Sequence, residues 1–128
     1  MKMTPIDPPR TFTVGRTVKH DLKDCARIEL AHDEQVTFVT PAGAEYDVTR
    51  KSWGFYATPS LNGRLAGFNL RPALIKNPQG RYYVFLIERG KEQDAREYLD
   101  REDQRIVWWL DTDERLDALE RALPASAD

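Results

Sequence analysis

The apolar residues of this chain change period at Gly90, and that change limits the folds open to it. Before Gly90 they recur in twos. Phe12, Val14 and Val18 alternate with Thr11, Thr13, Thr17 and Lys19, the pattern of a half-buried strand. Ala26, Ile28 and Leu30 alternate with Cys25, Arg27 and Glu29 in a second strand, with a turn expected over Asp21–Asp24. His32, Asp33 and Glu34 end that strand. Gln35–Thr40 and Glu45–Thr49 then flank Pro41-Ala42-Gly43-Ala44, as the arms of a β-hairpin would. After Gly90, Ala95, Tyr98 and Leu99 fall on one helical stripe within Lys91–Glu102, and Leu116, Leu119 and Leu123 on another. The strand Arg105–Leu110 lies between them.

A run of strands followed by helix, strand and helix predicts an α+β domain with a mostly antiparallel sheet or partly open barrel over residues 11–88. Residues 1–10, with three prolines, are expected to be a loosely ordered lead-in; 11–124 form the single domain and 125–128 a frayed tail. Pro72 argues that Phe68–Lys76 is an edge strand or carries a bulge. Arg81–Glu88, apolar on both faces, reads as a central strand covered on both sides. The spacing from it to Arg105–Leu110 allows a helical crossover and a parallel pair. Asn77-Pro78-Gln79-Gly80 has the residues of a type I turn, and Asn62-Gly63 those of a tight turn. Asp111-Thr112-Asp113-Glu114 resembles a capping box for the last helix, and Pro124 stops it.

Charge is distributed less evenly than the net value of −2 suggests. From Val48 to Ile87 there are six basic residues and no Asp or Glu, together with seven of the thirteen aromatics. Cations beside aromatics hold an anion or a planar ring, and they also dock acidic helices of their own chain. The irregular centre of this window, Arg50–Gly67, supplies Arg50, Lys51 and Arg64 as charges, Asn62 as a neutral hydrogen-bonding group, and Trp53 and Tyr56 as flat surface, with Arg71 as outer support. These seven residues are the expected ligand site. Arginine forks onto phosphate while aromatics stack on a ring. The competing reading is internal: acids of the 91–102 segment neutralise the basic surface, while Glu92–Arg96 and Glu97–Arg101 pair on the solvent side.

The expected function is that of a small binding protein for an anionic small molecule or an acidic protein surface. The alternatives are an enzyme acting on a phosphorylated or nucleotide-linked sugar and a structural or assembly protein. The sequence leans away from an enzyme: no phosphate-binding glycine loop, nucleophile elbow or metalloprotease helix is present, and acids are absent from the expected pocket. No cofactor and no metal is expected. His20, Cys25 and His32 lack the short paired spacings of a zinc site, and their role is left open. The net charge disfavours nucleic acid as a partner without excluding a local basic groove. A homodimer is among the expected partners. The longest apolar run, Tyr82–Ile87, is six residues, so no membrane span is expected. One cysteine and no apolar leader point to the cytoplasm.

Overall fold

The computed structural model describes residues 1–125 and is an α+β fold built from three separate antiparallel sheets, none closed into a barrel. The first is a two-stranded ribbon of β1 (Lys2–Val14) and β2 (His20–Glu29). It pairs from Lys2 opposite Glu29 to Val14 opposite His20. The register is interrupted between Pro5 and Arg10, where Pro8 and Pro9 have no N–H to contribute. Residues 2–10, expected to be a loose lead-in, are therefore strand. The alternation read over 11–19 is strand only to Val14, and prolines hid the strand's first half. The turn is at 15–19, and Asp21–Asp24, expected to turn, pair with β1 as part of β2. Gly15 turns the ribbon with φ +114°; a Cβ there would lie 2.1 Å from the Val18 carbonyl oxygen, so only glycine fits. The tail segment beyond Ala125 lies outside the described residues.

The second sheet has the order β3 (Gln35–Val39), β4 (Glu45–Lys51) and β5 (Gly54–Ala57). The hairpin expected around Pro41–Ala44 is present, closed by the Gly43 N–H donating to the Thr40 carbonyl at 3.0 Å. Asn62-Gly63 does not form a hairpin turn. Gly63 has φ −129°, and the chain enters the short helix α1 (Arg64–Gly67), whose Leu65 is fully buried.

The third sheet has the order β7 (Tyr82–Glu88), β6 (Leu70–Lys76) and β8 (Arg105–Trp109). Here the structure corrects two expectations. Strand 82–88 is an edge, with Tyr82, Tyr83 and Val84 exposed, and strand 70–76 is the centre despite Pro72. Apolar side chains on both faces mark a strand as covered only if something lies over both, and here the outer half of β7 is left open. Pro72 is tolerated because its carbonyl, which accepts from Leu110 N–H at 2.9 Å, points toward β8. A strand residue aims both backbone groups at the same neighbour, so the missing donor also faces β8, beyond the last pair Ala73–Trp109. β8 pairs with β6 antiparallel rather than with β7 in parallel.

Helix α2 (Glu92–Arg101) covers one face of this sheet, and its Leu99 packs with Ala73, Ile75, Ile87 and Trp109. On the other face Leu70 meets Leu65 and Ala44, with Tyr46 and Leu86 around them. Helix α3 (Asp113–Ala122) starts at Thr112, whose hydroxyl accepts from Arg115 N–H. It packs beside Trp108, whose indole N–H donates to the Arg115 carbonyl at 2.8 Å. Trp108 and Trp109 thus serve opposite faces, as neighbours on a strand must. Leu123, at the end of the expected stripe, is exposed.

Candidate functional site

A strand pair places directly opposed residues on one face, so the β4–β5 hairpin sorts the expected ligand residues into two groups. Arg50 lies opposite Phe55 and projects to one side. Lys51 and Tyr56 belong to the other side, with the buried Asp47 and Thr49. Trp53 is in the connecting turn and its ring lies 6.0 Å from that of Tyr56. The window without acids in sequence is not free of acids in space. Asp33 bonds Lys51, and Asp47 lies 4.0 Å from Arg64, which also covers the Phe68 ring at 5.5 Å. Asp33 itself is held below the usual carboxylate range by the Lys51 hydrogen bond, and Lys51 is raised by the same contact. Asn62 donates to Asp113 at 2.8 Å.

Arg71 is further from the others in role. Its guanidinium bonds Asp111 at 2.8 Å and Glu92 at 3.2 Å and lies 3.7 Å above the Trp109 ring. Burial pulls its pKa down, and the bonds to Asp111 and Glu92 more than restore it. This is one contact of the internal kind foreseen for the acidic helix. The pairing Glu92–Arg96 is not formed among the described residues, because Glu92 is turned inward to Arg71 and the Gly90 N–H.

Arg50 has a different setting. It borders a cleft of about 670 Å³ where the base of the ribbon meets the β4–β5 hairpin. The walls are Lys2, Thr4, Arg27, Ile28, Glu29, Leu30, Arg50 and Phe55. Thr4 is opposite Arg27 and Lys2 opposite Glu29, which puts all four on one ribbon face. The backbone fixes the other wall: Arg50 N–H donates to the Glu34 carbonyl at 3.0 Å, and the Arg50 carbonyl accepts from Asp33 N–H at 2.9 Å. Leu30 is buried at the base. Lys2, Arg27 and Arg50 take part in no ion pair among the described residues, and the cleft has one carboxylate, Glu29. Three cations thus converge on an opening floored by Leu30 and walled by the exposed ring of Phe55. Of the seven residues expected from sequence, Arg50 alone lines this cleft. Lys2 and Arg27 were missed because their positions depend on the ribbon. Only the alternation of Arg27 with Ile28 could have hinted that Arg27 faces outward.

His20, Cys25 and His32 are dispersed in their contacts. His20 packs edge-on to Tyr98 at 6.1 Å, the exposed Cys25 thiol bonds the Lys23 carbonyl, and His32 lies 3.3 Å from Asp33. Among the described residues no His, Cys, Asp or Glu cluster is arranged to hold a metal, and no helix is long and apolar enough to cross a membrane. Set against protein-family models, curated proteins and solved structures, the chain matches none.

Proposed function

We propose that the protein binds a small anionic molecule in the cleft between the ribbon base and the β4–β5 hairpin. The observation that carries this reading is the convergence on one opening of Lys2, Arg27 and Arg50, none of them ion-paired among the described residues. Like charges held together raise each other's energy, and an anion between them removes that repulsion. The two guanidinium groups can each fork onto a phosphate or carboxylate, while Phe55 offers a face to a ring attached to it. The exposed Cys25 thiol suits a reducing, cytoplasmic setting.

The test is thermal unfolding with inorganic phosphate, sugar phosphates, nucleotides and dicarboxylates at low and high salt. We expect a saturable, salt-sensitive stabilisation by one class, about 2.7 kcal/mol at a hundred times the dissociation constant. Arg27→Ala with Arg50→Ala should abolish it. Lys51→Ala with Arg64→Ala should keep it, since those cations already have Asp33 and Asp47. Binding that survives the first pair and fails in the second would return the site to the opposite hairpin face, around Trp53 and Tyr56.

A further inference from the structure

The cleft of Lys2, Arg27 and Arg50 contains one residue that a site for a bare anion has no use for. Glu29 lines it too, opposite Lys2 on the ribbon. Cross-strand pairing does not account for it, because Glu29 takes part in no ion pair among the described residues. An ionised carboxylate only accepts hydrogen bonds. Beside inorganic phosphate or a dicarboxylate, which present mainly acceptors, it repels what the three cations attract. Its place in the wall is favourable for a ligand that also brings an O–H or N–H donor.

The rest of the cleft narrows the ligand further. Three cations and one carboxylate leave the opening a formal charge of +2, which a dianion balances. A phosphate monoester carries about −1.5 to −2 at neutral pH, and a diester less. Arg27 and Glu29 lie two residues apart on one face of β2, roughly 7 Å along the strand. One compact molecule spans that interval, its charged head at Arg27 and Arg50 and its donor at Glu29. Phe55, 64% exposed, gives a ring a face to lie on, and Thr4 adds a hydroxyl that donates or accepts. At about 670 Å³ the cleft has the size of a site for a whole small molecule rather than for an ion.

We infer that the cleft takes a phosphate monoester of a hydroxylated ring, either a sugar phosphate or the ribose phosphate of a nucleoside monophosphate. The inference rests on the anion-binding reading above and adds that Glu29 accepts from a ring hydroxyl. Glu29 thereby gives up some affinity for every anion in exchange for preference among them. It weakens the hold on a bare anion and favours one that brings a hydroxyl.

The test is titration calorimetry of the full chain at neutral pH with inorganic phosphate, phenyl phosphate, ribose 5-phosphate and adenosine 5′-monophosphate. Phenyl phosphate has the ring and the dianion but no hydroxyl. Ribose 5-phosphate should bind about tenfold or more tighter than it, the order of a hydrogen bond to a charged group. Glu29→Gln should collapse that preference while tightening inorganic phosphate, because it removes the one negative charge of the cleft. Adenosine 5′-monophosphate binding tighter than ribose 5-phosphate assigns the ring to a nucleotide; equal or weaker binding assigns it to a free sugar phosphate, and both support the inference. A preference unchanged in Glu29→Gln would overturn it and leave the anion site in place. So would phenyl phosphate binding the wild type as tightly as ribose 5-phosphate, a comparison that needs no variant. Failure of all four compounds, or binding that survives Arg27→Ala with Arg50→Ala, would instead bring down the anion-binding reading itself.

Discussion

Arg71 joins three parts of the fold. It links β6 to α2 through Glu92 and to the chain after β8 through Asp111, whose side chain is 4% exposed. One Asp111 carboxylate oxygen accepts from Arg71, and the other is buried without a hydrogen-bond partner. Removing the cation would therefore leave a buried charge with nothing to balance it. Arg71→Met should cost about 3–5 kcal/mol in urea unfolding, and Arg71→Met with Asp111→Asn should recover part of that, since the charge goes with its partner. Acid should have a related effect. Glu92 is held below the usual carboxylate range by its own backbone N–H, then by Gly90 N–H and Arg71, and Glu88 by the Thr40 hydroxyl and Lys91. Groups with depressed folded pKa values bind fewer protons folded than unfolded as pH drops below about 4.5, so stability is full above that range and falls with acidification. The urea midpoint should decline from about pH 5 downward, more gently in Glu92→Gln. A midpoint independent of pH across that window would show that these contacts do not matter to stability.

Elements differ in how far they could be read. Both C-terminal helices were legible within a residue or two, because a three-to-four spacing of Ala95, Tyr98 and Leu99 has no reading as a strand. The β3–β4 hairpin was legible because Pro41–Gly43 break the chain between two apolar runs. Neighbour relations were not. Whether β7 is central depends on what else reaches it, and that information lies in the pairing of β6 with β8, not in Tyr82–Glu88. The helix α1 was hidden by its four-residue length, yet it fixes the second core. Leu65 is fully buried against Leu70 and Ala44, so Leu65→Ala should cost about 2–5 kcal/mol. Chemical denaturation measures it, and a loss under 1 kcal/mol would mean that α1 merely rests on the sheet. The candidate site shared this limit. Arg50 was visible as a cation in an acid-free window, whereas Lys2 and Arg27 join it through a strand register spanning the ribbon.

Across the whole molecule, the ribbon touches the rest of the protein at its two ends. At its base the terminal ammonium of Met1 bonds Glu34 at 2.9 Å. At its turn the Arg16 N–H donates to the buried Glu102 carboxylate at 2.6 Å, and the Arg16 guanidinium lies 3.2 Å from Asp103. This attachment has a consequence for the order of assembly during synthesis. The ribbon is made before its anchor, since the carboxylates that receive its turn lie 86 residues later. At 5–20 residues per second, roughly 4–17 s pass before they are made. Two strands alone are marginally stable in water, so over that interval the turn end of the hairpin has no seat. The wall of the cleft bearing Lys2 and Arg27 is thus held only at its base until Glu102 and Asp103 have been made.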